Sequence, residues 1–383
     1  MGPYSFKQKS DILQAMNDFV ITATRSMREY ASRVVEHLTK IPRFSSMTET
    51  INGVEILSTD RFADGEMEVS VKKSVRGKDI VLFACCCRND AGIEAEVAKI
   101  ELYHTVDALK RSQAGDVIVF EPYISCSRSD RKTRRNSVGL WVHFKILASL
   151  GVKHIVTYQL HSNKSESMLD PTICVIDDIP ALSLLARYLC DVYIQGITKL
   201  EDEVRQNWAF CSVDAGGEKL AREFANAFGA PLVVAHKQRD YSAMNTVESV
   251  NILSSEPLDG KILWIVDDMI DTAGSVERLI HALNSHNPLE INILAVHAIF
   301  SPPASKRLNR LIEEGILKRI IVADTVGLSS LPEKILNLEV VPSAELSATL
   351  IHRLVSNESV GKIMRSFSAE KYLKSPTLFS QQS

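Results

Sequence analysis

The stretch that decides the fold is Lys261-Ile-Leu-Trp-Ile-Val-Asp-Asp-Met-Ile-Asp-Thr-Ala-Gly-Ser275. Its apolar half predicts a buried parallel strand over residues 262–266, and helical spacing begins at Val276. Carboxylates, hydroxyls and small residues lie between the two elements. Backbone N–H groups at a helix start bind anions, and small side chains let a phosphate approach the backbone. The loop is therefore a candidate phosphate site.

Asp267 and Asp268 are the most specific part of this signal. Neighbouring carboxylates repel each other unless something binds them. An ordinary strand-to-helix turn with an Asp cap would explain residues 271–274 without a ligand, but it does not explain the pair. Carboxylates can accept hydrogen bonds from the vicinal hydroxyls of a sugar. Phosphate donors beside such acceptors favour a ribose 5-phosphate site.

Length and composition limit the classes of protein to consider. A chain of 383 residues predicts two domains. The net charge of −3 gives no support for a nucleic-acid partner. No apolar run reaches transmembrane length and the N-terminus lacks a secretory pattern, so we expect no membrane association. The seven cysteines, three of them adjacent at 85–87, are expected to be reduced thiols of a cytoplasmic protein.

Apolar runs alternate with helical patterns almost throughout the chain. This alternation predicts an α/β fold with largely parallel sheets flanked by helices. In such sheets, ligands bind beyond the carboxyl ends of the strands. The predicted strands are residues 18–22, 79–85, 116–121, 154–160, 210–213, 232–235, 262–266 and 291–298. The predicted helices are residues 26–38, 91–111, 142–150, 218–228 and 276–285.

Charged and polar side chains follow several of these strands. A basic loop beginning at Arg128 carries five cations in eight positions and suits a polyphosphate, although a solvated loop is an equally good explanation. His161 is able to bind a metal or a phosphate oxygen, although a lone histidine is more often structural. Asp214, which precedes Gly216 and Gly217, suits Mg²⁺ or, more simply, a helix cap. All three residues are expected at one edge of a sheet.

Two further segments carry weaker signals. Lys237 and Arg239 open a polar stretch after the strand 232–235, and they are either a solvated strand end or a pair that closes over phosphates. Phe62, Asp64 and Glu66 lie between short strand patterns, where a plain hairpin turn is the simpler explanation. The functional interpretation depends on the agreement between segments, because nearly all of them suit phosphates, Mg²⁺ or ribose.

The order of these segments resembles the ribose-phosphate pyrophosphokinases (PRPP synthetases) from about residue 18 to about residue 368. Members show Phe-x-(Asp/Asn)-x-Glu, then Arg-Gln-Asp-(Arg/Lys), Asp-Leu-His, Pro-Asp-x-Gly-Gly, Lys-x-Arg and Val-Asp-Asp-Met-x-Asp-Thr. The stretch from His297 to Ser301 also resembles the family's His-Gly-Ile-Phe-Ser. Simple phosphoribosyltransferases lack most of these segments, so the set is specific and the chain is identified as a divergent member of the family.

The resemblance implies a fold of two tandem phosphoribosyltransferase-like domains. The first, at 1–174, would lie on the ATP side and the second, at 175–343, on the ribose 5-phosphate side. A helical segment at 344–368 would return to the first domain, and 369–383 would form a tail. The implied reaction transfers the diphosphoryl group of ATP to the anomeric hydroxyl of ribose 5-phosphate, giving 5-phosphoribosyl 1-diphosphate and AMP. The resemblance also implies that the enzyme uses Mg²⁺ and assembles into a homodimer or hexamer.

The resemblance further implies a role for each matched residue. The ATP site would contain Phe62, Asp64, Glu66, Arg128, Asp130 and His161. His161 and Asp214 would hold the metal, and Lys237 and Arg239 would be catalytic. The ribose hydroxyls would bind Asp267 and Asp268. The 5-phosphate would lie against Asp271, Thr272, Ala273, Gly274 and Ser275.

The chain departs from the family pattern on the ATP side. Ser129 replaces a Gln and Gln159 replaces an Asp, and residues 132–140 and 164–168 also differ. A second hypothesis is therefore a regulatory subunit without turnover, although such a subunit has no physical need for the retained Lys237, Arg239 and His161. A third, a phosphoribosyltransferase that consumes PRPP, is disfavoured by the length and the basic loop.

Overall fold

Two largely parallel sheets, one in each half of the chain, form the frame of the molecule. The computed structural model describes residues 18–87, 92–194, 201–239, 248–329, 331, 333–361, 363–364 and 366–376. Within these ranges, the side chains at 50, 201–202, 237–239 and 248–249 are not described. The predicted α/β fold with sheets flanked by helices is confirmed.

The first half of the chain contains a sheet and a separate hairpin. Its strands are β1 (Phe19–Ala23), β2 (Leu57–Arg61), β3 (Met67–Val71), β4 (Asp79–Phe83), β5 (Val117–Phe120), β6 (Val152–Tyr158) and β7 (Val175–Ile179). The sheet has the order β1-β4-β5-β6-β7, with all neighbours parallel. β2 and β3 form the antiparallel hairpin.

The second half forms a longer sheet. Its strands are β8 (Trp208–Ser212), β9 (Leu232–Arg239), β10 (Glu248–Ser254), β11 (Ile262–Ile270), β12 (Glu290–Ala298), β13 (Arg319–Ala323) and β14 (Leu338–Val341). The order is β10-β9-β8-β11-β12-β13-β14, and only the pair of β9 and β10 is antiparallel among the strands described.

Helices connect these strands and cover the sheets. They are α1 (Arg28–Thr39), α2 (Thr48–Ile51), α3 (Ala95–Arg111), α4 (Gly139–Ser149), α5 (Leu182–Tyr193), α6 (Glu218–Phe228), α7 (Gly274–Asn284), α8 (Ala304–Glu313), α9 (Ala344–Val355) and α10 (Ala369–Lys374). Amphipathic spacing explains the buried faces, as in α7, where Val276, Leu279, Ile280 and Leu283 are buried.

Two strands extend further than their apolar runs predict. β11 continues to Ile270 because its backbone stays paired with β12 there, so Asp267 and Asp268 lie inside the strand and not beyond its end. β9 continues to Arg239 because it pairs with β10, a strand whose apolar alternation is too short to predict it. In both cases backbone pairing with a neighbouring strand overrides the polarity of the side chains.

The change from one sheet to the other lies later in the chain than the expected division after residue 174. β7 pairs with β6 from Val175 to Ile179 and so belongs to the first sheet. The apolar residues Val175, Ile176 and Ile179 resemble a short strand only once β6 is known to lie beside them.

A buried hydroxyl cluster joins α9 to the first half of the chain. The hydroxyl of Tyr30, on α1, hydrogen-bonds to Ser343 and Ser347, with 2.7 Å between the oxygen atoms in each case. The hydroxyl of Tyr158, at the end of β6, lies 2.6 Å from that of Ser347. Helices α1 and α9 therefore pack through polar as well as apolar contacts and hold the two sheets together.

Replacing Tyr30 by Phe tests the contribution of this cluster. Both serines keep another partner, because Ser343 donates to Asp324 and Ser347 still bonds to Tyr158. We therefore expect a fall in the free energy of unfolding of about 1 kcal/mol, the usual value for one net hydrogen bond, measured by urea titration.

Tyr372→Phe is the matched control. Its hydroxyl makes an exposed hydrogen bond to Asp191, and removal of an exposed bond should cost less than about 0.5 kcal/mol. An equal loss in the two variants would contradict the structural role given to the buried cluster.

Candidate active site

A cavity of about 880 Å³ lies between the carboxyl ends of the two sheets. In the second sheet β8 has β9 on one side and β11 on the other, so the connections that follow β8 and β11 leave in opposite directions. Such a reversal opens a crevice in which α/β proteins bind ligands. β8 ends its pairing with β11 at Ser212 and Val266, which places Asp214 and Asp267 at the crevice.

The two adjacent carboxylates on β11 interact with different partners. Asp268 Oδ2 lies 2.8 Å from His161 Nδ1, which comes from the first half of the chain. The backbone N–H of Asp268 donates to Asp267 Oδ1 at 3.0 Å. His161 is the link across the cavity, because it carries a hydrogen bond from the end of the first sheet to a carboxylate on the second.

The pKa values of these three groups follow from that arrangement. Burial, followed by repulsion from Asp268, raises the pKa of Asp267 well above its ordinary value. Burial also acts to raise the pKa of Asp268, but the hydrogen bond with His161 outweighs it and leaves that pKa lowered. The same hydrogen bond raises the pKa of His161. The pair therefore offers one readily ionised carboxylate beside one that holds its proton more tightly.

A sharp turn after β6 presents His161 to the cavity. Gln159 has a φ of +43°, a left-handed conformation that costs a non-glycine residue energy. Hydrogen bonds compensate for it: the N–H of Gln159 donates to the carbonyl of Ile179, and the N–H of Leu160 donates to Asp178 Oδ1 at 2.9 Å. The end of β7 thus holds the turn that carries His161.

His297 fixes the same turn from the second sheet. Its ring is buried, and Nε2 lies 3.1 Å from the carbonyl oxygens of both Tyr158 and Gln159. Burial lowers the pKa of His297 to about 4, so the ring is neutral. Nε2 then carries the hydrogen and donates to the carbonyls, while Nδ1 accepts from the hydroxyl of Thr325 at 2.9 Å.

The loop from Asp271 to Ser275 forms the floor of the cavity beside these carboxylates. Ala273 has a φ of +59°, which is strained for a residue with a Cβ. α7 begins at the next residue, and Ala273 has no polar side chain with which to cap it. The first N–H groups of a helix lack intrahelical partners, so this start suits an anion.

Cations from the first half of the chain lie across from this loop. Arg128 Nη1 is 2.5 Å from Asp271 Oδ2, and Arg131 also lines the cavity. Asp130 is not among the lining residues, although its charge helps to raise the pKa of His161. The basic loop therefore faces the candidate phosphate site, as a polyphosphate-binding loop requires.

Asp214 closes the turn before α6 and does not cap the helix, whose N-cap is Gly217. Its Oδ1 accepts the N–H groups of Gly216 and Gly217, at 2.9 and 3.2 Å. Its charge also contributes to the raised pKa of Asp267, so the two carboxylates are near each other. Among the described residues, no three His, Cys, Asp or Glu side chains are grouped so that they could hold a metal unaided.

The structure brings most of the residues indicated by the sequence to one cavity. The lining residues among them are Arg128, His161, Asp214, Asp267, Asp268, Asp271, Thr272, Ala273, Gly274 and Ser275. The backbone of Lys237 and Arg239 lies in β9, whose His236 lines the cavity, but their side chains fall outside the described part of the chain.

Phe62, Asp64 and Glu66 do not line this cavity. They form the turn between β2 and β3, in which the N–H of Phe62 donates to the carbonyl of Glu66 and Gly65 takes a φ of +94°. The hairpin expected from Asp64-Gly65 is therefore present. The ring of Phe62 is 55% exposed.

Several cavity residues carried no recognised signal. Asp178 lies near the end of β7, where burial raises its pKa to about 6. Asp178 is the second of two Asp residues after an apolar pair, which is the pattern that also precedes Asp267 and Asp268. This pattern was the signal in the sequence that could have identified Asp178 as a site residue. Glu223 on α6 and Met364 also line the cavity, and nothing in the sequence around Met364 points there.

Comparisons with known proteins agree with this geometry. Residues 19–151 match the model of the N-terminal domain of ribose phosphate pyrophosphokinase, and residues 192–319 match the phosphoribosyl transferase domain. The chain is 31% identical over 304 residues to a ribose-phosphate pyrophosphokinase of Fusobacterium nucleatum, covering 79% of this chain and 88% of that one. With a Helicobacter pylori relative of the same name, the identity is 32% over 301 residues, covering 78% and 85%.

A solved structure shares the fold. The phosphoribosylpyrophosphate synthetase from Mycobacterium smegmatis superimposes with a TM-score of 0.73 at 24% identity, covering 89% of this chain and 100% of that chain. This chain therefore belongs to the ribose-phosphate pyrophosphokinase family and is an enzyme with two phosphoribosyltransferase-like domains. In the described part of the chain, no helix is both long and apolar enough to cross a membrane.

The link between His161 and Asp268 predicts a particular pH dependence. Because the hydrogen bond raises the pKa of His161 above 6.5, the pair contributes fully to the free energy of unfolding below about pH 6.5 and loses this contribution as pH rises through the raised pKa. A histidine NMR titration should give a midpoint for His161 above 6.5.

Replacing Asp268 by Asn should lower that midpoint, because it removes the carboxylate whose hydrogen bond and charge raise the pKa of His161, while burial still lowers it. Asp177→Asn is the control, since Asp177 hydrogen-bonds to His154 and not to His161. An unchanged His161 midpoint in Asp268→Asn would show that the two groups do not interact as described.

Proposed function

We propose that the enzyme transfers the diphosphoryl group of ATP to the anomeric hydroxyl of ribose 5-phosphate, giving 5-phosphoribosyl 1-diphosphate and AMP. The observation that carries this proposal is the cavity in which the carboxylates of β11, an uncapped helix start and the basic loop meet. A sugar phosphate and a polyphosphate need these three groups side by side.

The ribose 5-phosphate would lie along β11 and the loop that follows it. Asp267 and Asp268 would accept hydrogen bonds from the sugar hydroxyls, and the more readily ionised Asp268 is the stronger acceptor. The 5-phosphate would bind the backbone of residues 271–275 at the start of α7.

The triphosphate would lie toward the first domain. Arg128 and Arg131 line that side of the cavity and supply positive charge, and His161 lines it beside them. The attack by the anomeric oxygen on the β-phosphorus needs alignment and charge neutralisation more than covalent help. Binding of ATP would draw Arg128 from Asp271, so the ion pair seen here would couple the two substrate sites.

The donors in the cavity fit Mg²⁺. The charge of Asp214 helps to raise the pKa of Asp267, and a divalent cation would relieve this repulsion. Carboxylate oxygens are the ligands that Mg²⁺ prefers. Mg²⁺ commonly keeps waters and substrate phosphate oxygens, which agrees with the lack of a complete protein ligand set among the described residues. We propose that Asp214 and His161 are the protein groups nearest the metal. The metal would neutralise phosphate charge.

Lys237 and Arg239 are proposed as the catalytic cations. Their strand β9 runs past the cavity edge at His236 and pairs with β10. Two cations on this strand would reach the transferred phosphoryl group and stabilise its charge in the transition state.

Phe62, Asp64 and Glu66 remain proposed ATP-binding residues, but not from the same copy of the chain. Because the hairpin between β2 and β3 does not line the cavity, a second copy would have to supply it. The exposed Phe62 ring is available for stacking on adenine. This requirement supports a homodimer or a larger homo-oligomer. The seven cysteines, all in the described part of the chain, form no disulfide, and reduced thiols support a cytoplasmic location.

The proposed activity is tested by AMP release from ATP and Mg²⁺ with and without ribose 5-phosphate. The intact protein should release AMP only with the sugar phosphate. Lys237→Ala should lower kcat by at least about 100-fold, as loss of one transition-state contact does. Lys153→Ala is the control: Lys153 is exposed at the amino end of β6, opposite the cavity, and should leave kcat unchanged.

The alternative is a regulatory subunit without turnover, which the changed ATP-side segments favour. Saturable binding of ATP and ribose 5-phosphate with no AMP release by the intact oligomer would replace the proposed function by this alternative. Consumption of 5-phosphoribosyl 1-diphosphate with a base acceptor would instead indicate a phosphoribosyltransferase.

A further inference from the structure

Arg307 supports the candidate phosphate loop from behind. It lies on α8 and is not among the residues that line the cavity. Its Nη1 donates to the carbonyl oxygen of Thr272 at 3.0 Å, and its Nε lies 3.3 Å from Glu277 Oε2 on α7. The guanidinium thus bridges the loop and the first turn of the helix that the loop begins.

The loop sequence is shaped around this guanidinium. A Cβ added at Gly274 would lie only 2.7 Å from Arg307 Nη1, closer than real carbon contacts permit. A Cβ at Gly274 would therefore have to displace the guanidinium end of the Arg307 side chain. The neighbouring Ala273 accepts a strained left-handed conformation at the same point.

Arg307 also decides where an N–H group points. The peptide that joins Thr272 to Ala273 is planar and trans, so its carbonyl and its N–H point in opposite directions. Because the carbonyl is held by Arg307 on the far side of the loop, the N–H of Ala273 is held toward the cavity that Ala273 lines. A peptide free to rotate would turn its carbonyl toward the phosphate and repel it.

We infer that Arg307 is a positioning residue for ribose 5-phosphate: it holds the Thr272–Ala273 peptide with its N–H toward the 5-phosphate without touching the substrate. The inference deepens the proposed function and rests on it. Arg307 shares Glu277 with Arg310 and does not line the cavity, so we assign its effect to the geometry of the peptide and not to long-range attraction, which salt screens.

Steady-state kinetics of Arg307→Ala tests this role. The KM for ribose 5-phosphate should rise by about tenfold, the size of one lost charge-assisted contact, while the KM for ATP stays within about twofold. The side chain is about one-third exposed, and the variant is expected to fold. A purely structural role would lower the active fraction, and hence kcat, and leave both KM values unchanged.

Arg310→Ala is the matched control. Arg310 lies on the same helix and also pairs with Glu277, but makes no hydrogen bond to the loop among those found in the described residues. It should leave the KM for ribose 5-phosphate within about twofold. Arg307→Lys, which keeps a donor, should recover part of the loss, and Arg307→Met, which keeps only the apolar stem, should not.

A double-mutant cycle with Gly274→Ala adds an independent test. The added methyl group meets Arg307 in the natural protein, so its effect on the KM for ribose 5-phosphate should be several-fold smaller in the Arg307→Ala background. Equal effects in both backgrounds, or an unchanged KM in Arg307→Ala, would overturn the inference.

Calorimetric titration with ribose 5-phosphate separates the two possible failures. If the intact protein releases no AMP, the proposed reaction fails, but weaker ribose 5-phosphate binding to Arg307→Ala than to Arg310→Ala still supports the positioning role. If AMP is released and the two variants bind ribose 5-phosphate equally, the positioning role alone is wrong.

Discussion

The hydrogen bond between His161 and Asp268 is the contact on which the rest of the site depends. It joins the end of β6 in one domain to β11 in the other and leaves the adjacent Asp267 and Asp268 with different affinities for a proton. An unpaired carboxylate in this position would be costly. The strained turn at Gln159 places His161 at this point. The neutral His297 holds that turn through its carbonyl oxygens.

The sequence predicts the parts of this arrangement that are local. The apolar run at 262–266, the helical spacing from Val276 and the polar residues between them are enough to predict a strand, a phosphate loop and a helix. Strand ends gather at one edge of a parallel sheet, so the grouping of His161, Asp214 and Asp267 could also be expected. The family resemblance gave these residues their roles, and the comparisons bear out the family.

The parts that could not be predicted depend on long-range partners. β10 has only a short apolar alternation, Val250 and Ile252, which is too brief to predict a strand without its partner β9. β7 joins the first sheet only because β6 is beside it. Arg307 lies more than thirty residues after the loop it supports, in a helix whose spacing gives no sign of the contact. The hairpin of β2 and β3, which carries Phe62, differs from these elements because its turn is local and predictable from the sequence. Its position away from the cavity is not predictable.

The central claim is that ribose 5-phosphate lies between Asp267–Asp268 and the start of α7. A crystal structure of the protein with ribose 5-phosphate bound tests it most directly. The account predicts the sugar hydroxyls on the two carboxylates and the 5-phosphate on the backbone of residues 271–275. Density for the sugar in the reverse orientation, or at a site away from this loop, would contradict it.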